Sequence, residues 1–220
     1  MLSLFDLSAD AAPCTTPDAG RAAGIQWLER NTDRWLPASD VVARSQSARA
    51  TQAVVAAEAL LALAASNRQA GFSAQSAAAW LRGQELDATD AFARAIRARA
   101  ALGLDVTEER SVLCAERGEA GWGLLPESPA GSLDTALAFS ALDASDCGSL
   151  TNDEKTTLFT LGRHDDMGWA GDQVDPSVEP GDLTITAEIV RGLAAGEASI
   201  VGPMEYTRLI YAAFLGYFFF

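Results

Sequence analysis

A single lysine, Lys155, and a single histidine, His164, occur in 220 residues. One histidine excludes a metal centre built on several imidazoles. With only acidic neighbours it ligates a divalent ion when distant residues complete the shell. Cysteine is scarce too: Cys14, Cys114 and Cys147 are odd in number and widely spaced, with no Cys-x-x-Cys pair, which excludes zinc-ribbon spacing. At most one intramolecular disulfide fits this set, and the plain expectation is three free or buried thiols. Basic charge is short as well. Sixteen Lys and Arg against 30 Asp and Glu give a formal charge of −14 and a pI near 4.4. That excludes the basic footprint of a nucleic-acid binder and a polybasic patch for anionic lipid. No Gly-x-Ser-x-Gly elbow, P-loop or dinucleotide glycine fingerprint is present.

Runs of β-branched residues are also scarce, while alanine is abundant, which favours helix over strand. At 49% hydrophobic residues the chain is able to bury a sizeable core. Residues 1–19 lack the basic and apolar regions of a secretory signal and read as an extended lead-in. Helical hairpins are expected over 20–195. The first pairs 20–30 with 45–65 across a loop holding Pro37. The second pairs 73–85 with 90–102, with Asp90 as N-cap and Arg94, Arg97 and Arg99 on a solvated edge. The third pairs 107–117 with 133–142, capped by Asp134 or Ser132. In the fourth, 151–161 with 183–193, Thr151 and Glu154 form a capping box and Asp182 caps the last helix. The second arms start near 50, 90, 134 and 183, a spacing of roughly 40–50 residues that marks a repeat architecture.

One phrase occurs twice. Residues 120–142 read AGWGLLPESPAGSLDTALAFSAL and residues 167–193 read MGWAGDQVDPSVEPGDLTITAEIVRGL. Each has Gly-Trp, a loop rich in Gly, Pro and acid, then Thr-Ala in a helix-like run, with Trp122 and Trp169 47 positions apart. Large flat rings at such positions plug gaps between neighbouring hairpins. Trp27 and Trp80 are the expected plugs of the two earlier units. Trp122, Phe139 and Trp169, with Asp134, are therefore expected either as structural positions of the repeat or as the lining of a lipid-sized cavity.

These residues resemble a repeat of the terpenoid cyclase and protein prenyltransferase superfamily, most closely over 111–142 and 151–193. The resemblance implies an all-α, α/α-toroid-like array of about four hairpins. Since a full toroid has more, it implies an open arc or a part of a longer protein. The family's catalytic groups have no counterparts here. The stretches CAERGEAGW and LGRHDDMGW lack the cyclase Gln, no Asp-x-Asp-Asp acid occurs, and Asp146-Cys147 with His164 does not have the prenyltransferase zinc spacing. Residues 196–220, GEASIVGPMEYTRLIYAAFLGYFFF, are similar to a late spanning segment of drug/metabolite transporters of the EamA type. The other reading is an apolar helix packed on the last hairpin. A membrane contact through residues 200–220 is accordingly an expectation, although the final apolar run of 12 residues falls short of the roughly 20 a lone spanning helix needs.

The most polar constellation is His164, Asp165 and Asp166, either a metal or acid–base site or a capped turn with a solvated histidine. Asp172, Asp175, Glu179 and Asp182 add oxygen ligands without the spacing of a known calcium loop. Nothing in the sequence brings Cys147 to His164 for thiol catalysis. The sequence therefore implies no catalytic residue, no cofactor and no resident metal. It points to a non-catalytic repeat module for binding or scaffolding, whose partner is a protein or an apolar small molecule. The alternatives are part of an isoprenoid cyclase or prenyltransferase, and a membrane-tethered repeat module.

Overall fold

A computed structural model describes residues 16–36, 46–142, 146–160, 163, 164, 168, 169 and 182–196. The chain is all-α over these residues, with helices α1 (Pro17–Arg30), α2 (Thr32–Trp35), α3 (Gln46–Ala65), α4 (Phe72–Arg82), α5 (Thr89–Ala101), α6 (Thr107–Ala115), α7 (Ser132–Ala141), α8 (Asn152–Thr160) and α9 (Leu183–Gly196). A two-residue ladder, β1 (Arg163–His164) with β2 (Gly168–Trp169), is antiparallel and pairs Arg163 with Trp169. The expected lead-in over 1–19 lies mostly outside the described residues, and the tail 197–220 lies wholly outside them.

Local chemistry sets the helix starts. The Thr16 hydroxyl accepts from the Ala19 N–H at 3.2 Å, and Pro17 occupies the first helical turn, where a missing N–H costs nothing. The expected capping box is present: the Thr151 N–H donates to Glu154 Oε2 at 2.7 Å and the Glu154 N–H to Thr151 Oγ1 at 3.2 Å. Asp182 caps α9 by accepting the Ile185 N–H at 3.0 Å. Asp105 accepts from both the backbone and the hydroxyl of Thr107, and these bonds hold its carboxyl below the ordinary aspartate range. Two expected caps differ. α5 starts one residue early at Thr89, whose own N–H and hydroxyl reach Leu124 O and Gly123 O, so Asp90 sits inside the first turn. Gly131 is the N-cap of α7, and Ser132 and Asp134 fall within that helix as buried first-turn residues. The loop expected around Pro37 opens with the one-turn helix α2.

Packing runs through alternate helices: α3 lies on α5, α5 on α7 and α7 on α9, while α4 packs on α3 and α8 on α7. The row α3–α5–α7–α9 is the series whose starts recur at 40–50 residues. Small side chains make the row tight. Ala53, Ala56, Ala57, Ala91, Ala98, Ala136 and Ala138 are fully buried, and an alanine face lets helix backbones approach closely. One core joins α1 to α5 around Leu60, Leu63, Ala77 and Leu81. A second joins α5 to α9 around Ile96, Leu113, Trp122, Leu137, Leu158 and Ile189.

At the α7–α9 contact, Gly192 meets Ala136 so closely that a Cβ would stand 2.4 Å from both the Cα and the carbonyl oxygen of Ala136. Backbone cannot yield there as a flexible side chain would. Gly192→Ala is expected to destabilise the domain by about 1–3 kcal/mol through overpacking, despite alanine's better helix propensity. Thermal melting of the variant beside wild type measures this.

The run Arg94, Arg97 and Arg99 is not a solvated edge. Arg94 and Arg99 are buried, because their helix is central in the row and meets neighbours on several sides. Arg94 pairs with Glu58 of α3, Arg97 with Glu188 of α9 at 2.9 Å, and Arg99 with Glu109 of α6. A buried guanidinium persists only when carboxylates compensate it.

Candidate functional site

The doubled phrase folds into two copies of one clamp. Trp122 is 1% exposed and its indole N–H donates to the carbonyl of Leu113 at 2.7 Å. Trp169 is buried and donates to the carbonyl of Leu158 at 2.6 Å. Both acceptors lie in the last turn of the preceding helix, α6 or α8, where carbonyls have no intrahelical donor. On the other side, a threonine in the first turns of the next helix brackets the tryptophan backbone. Thr135 Oγ1 accepts from Trp122 N at 3.0 Å and donates to Trp122 O at 3.1 Å. Thr186 Oγ1 accepts from Trp169 N at 2.9 Å and contacts Trp169 O at 3.4 Å. Each clamp thus ties the end of one helix to the start of the next through one ring and one hydroxyl. Gly121 makes the approach feasible. Its φ is +115°, and a Cβ there would lie 2.4 Å from Thr135 Oγ1.

The first unit carries a related contact at a residue that sequence reasoning missed. Trp35, buried in α2, donates to the carbonyl of Leu28 at 2.9 Å, again in the last turn of the helix before it. Trp27, the expected plug, is 49% exposed, and Trp80 only packs partly buried against the first core. The signal available was position: a tryptophan 7, 9 or 11 residues after its acceptor leucine.

Beside the Trp122 clamp lies a buried ionic knot. Glu154 is fully buried and receives Arg117 through two bonds, Nε to Oε1 at 2.5 Å and Nη2 to Oε2 at 2.6 Å. The same guanidinium donates to the carbonyls of Cys147 and, at 2.9 Å, Ser149. It also lies 5.5 Å from the Trp122 ring centre and 5.2 Å from that of Phe139, within cation–π range. Phe139 stands edge-on to Trp122 with centres 5.2 Å apart. Cys114 and Cys147 are joined as a disulfide with Cα atoms 5.7 Å apart, in place of two of the expected free thiols. The fold brings the end of α6 and the loop before α8 together, which a separation of 33 residues conceals in the sequence.

A second charged group lies along the row of alternate helices. Glu188 of α9 accepts from Arg97 at 2.9 Å and from Arg191 at 2.6 Å, and lies 3.7 Å from Arg94, which in turn meets Glu58. α5 and α9 both flank α7 yet reach each other here, so the two helices converge on this side. Burial lowers the Arg97 pKa from its ordinary value, while Glu188 acts to raise it. Among the described residues, the three guanidiniums of Arg94, Arg97 and Arg191 share the two carboxylates of Glu58 and Glu188. A hollow of about 340 Å3 opens elsewhere, between α1 and the turn after α3, lined by Asp18, Arg21, Gln26 and Arg68.

Of the residues singled out from the sequence, Trp122, Asp134, Phe139 and Trp169 are all buried in the second half of the domain, with Asp134 in the first turn of α7. His164 has a described backbone in β1, while Asp165 and Asp166 lie outside the described residues, as do Asp172, Asp175 and Glu179. Among the described residues, no group of three or more His, Cys, Asp or Glu side chains is placed to hold a metal ion. No described helix is long and apolar enough to cross a membrane. No protein-family model, curated protein or solved structure matches the chain.

Proposed function

We propose that the chain is, or is part of, a non-catalytic helical-repeat module of the prenyltransferase and terpene-cyclase-like kind, a partial or open toroid-like ring used for binding or as a scaffold. The observation that carries this reading is the identical use of Trp122 and Trp169. In both, the indole N–H serves a helix-end carbonyl and the backbone is bracketed by threonine. The phrase that resembles a cyclase repeat is thereby accounted for as architecture. The row α3–α5–α7–α9 supports the same reading, since alternate helices stacked side by side present one continuous wall. The partner proposed for this wall is a protein or an apolar small molecule.

The test is incubation of the purified chain with a linear polyprenyl olefin, and separately with an isoprenyl diphosphate plus a thiol peptide, each with and without magnesium or zinc. The expected result is no product above the protein-free background by mass spectrometry. Cyclised or transferred product that depends on the chain overturns the proposal and favours an isoprenoid enzyme.

A further inference from the structure

We infer that Cys114 and Cys147 form a reversible dithiol–disulfide clasp, assembled by Arg117, through which a dithiol reductant controls the stability of the Trp122 clamp. The inference is independent of the binding role proposed above.

Arg117 holds both cysteines by their backbones. Its N–H donates to the carbonyl of Cys114 at 3.2 Å, and its guanidinium donates to the carbonyl of Cys147. The remaining donors fix the chain that follows Cys147, at Ser149 and at Glu154, whose carboxylate also closes the α8 capping box. None of these bonds uses a sulfur atom. Breaking the disulfide therefore leaves the two cysteines facing each other on backbone that Arg117 still pins, with a high effective concentration of one thiol at the other. Both cysteines are half-buried, packed against the second core without being enclosed by it, and the proposed clasp requires that a small thiol reagent has access there. A cross-link buried in a core would lack that access, and one without a pinned loop would not re-form readily.

One thiolate of a dithiol attacks Cys114 Sγ or Cys147 Sγ and forms a mixed disulfide. The other protein sulfur leaves as a thiolate and takes a proton. The second thiol of the reagent then displaces the remaining protein sulfur, so the reagent ends as a cyclic disulfide and the protein as two thiols. Two electrons pass from reagent to protein. The reverse step takes a disulfide such as oxidised glutathione.

The bond closes a 33-residue loop that contains Trp122, Thr135 and the whole of α7. Opening it frees the unfolded chain and weakens the clamp without removing any native hydrogen bond. The experiment counts thiols with a polyethylene-glycol maleimide under denaturing conditions, before and after treatment of the folded protein with dithiothreitol. It follows far-UV circular dichroism and melting alongside. One adduct is expected before reduction and three after, with helicity kept and the melting temperature lowered by about 5–15 °C. Oxidised glutathione restores the single-adduct monomer.

Arg117→Met combined with Glu154→Leu, which removes both charges together, slows that re-formation on the order of tenfold. Arg117→Lys, which keeps the charge but not the fork, slows it less and serves if the double variant does not fold. Three adducts before reduction overturn the inference. So does loss of the helical signal on reduction, which makes the bond a permanent staple. Re-formation at the wild-type rate in both variants removes Arg117 from the device.

Discussion

Trp122→Ala is expected to destabilise the domain by about 3–5 kcal/mol, the usual range for deleting a buried aromatic ring. The ring is 1% exposed, meets Phe139 edge-on and fills the space between α6 and α7. Its loss creates a cavity and also leaves the Leu113 carbonyl at the end of α6 without its donor. Trp122→Phe separates the two contributions. It keeps most of the apolar area but not the N–H, and its expected cost is about 1–3 kcal/mol, the penalty for one unsatisfied buried acceptor plus a small void. Urea titration checks both, with the midpoint falling and the slope unchanged. Equal losses in the two variants would mean that the hydrogen bond to Leu113 carries the whole effect.

Glu154→Ala is expected to cost a similar amount, about 3–5 kcal/mol, for an electrostatic reason. Glu154 is fully buried, and Arg117 is mostly buried beside it. Removing the carboxylate strands a guanidinium away from water, and also opens the start of α8 by deleting half of its capping box. The double replacement Arg117→Met with Glu154→Leu removes both charges and should recover most of the loss, although the carbonyls of Cys147 and Ser149 forfeit a donor. A thermodynamic cycle over the two single variants and the double variant measures the coupling. Additive losses would show that the pair is not acting as a unit.

Much of the fold was legible because its signals are local. The arms at 107–117, 133–142, 151–161 and 183–193 follow from helical patterning and punctuation. The Thr151–Glu154 box and the Asp182 cap follow from spacing of three residues. The Thr-Ala of the doubled phrase was visible, and its threonine is the residue that brackets each tryptophan. What stayed hidden depends on which helices become neighbours. Arg94 and Arg99 read as solvated because their partners, Glu58, Glu188 and Glu109, lie on other helices. The Cys114–Cys147 bond was hidden for the same reason. Trp35 was overlooked in favour of Trp27 because both sit near the end of α1, and only the fold decides which ring turns inward.

The two clamps differ in one respect that has a practical meaning. Thirteen residues separate Trp122 from its threonine, and seventeen separate Trp169 from its own. The ends are held alike while the stretch between them has gained four positions. The clamp therefore fixes the same two ends across sequence separations that differ by four. An end-held clamp of this kind accepts two lengths of intervening chain, because a few added residues raise the closure entropy only slightly.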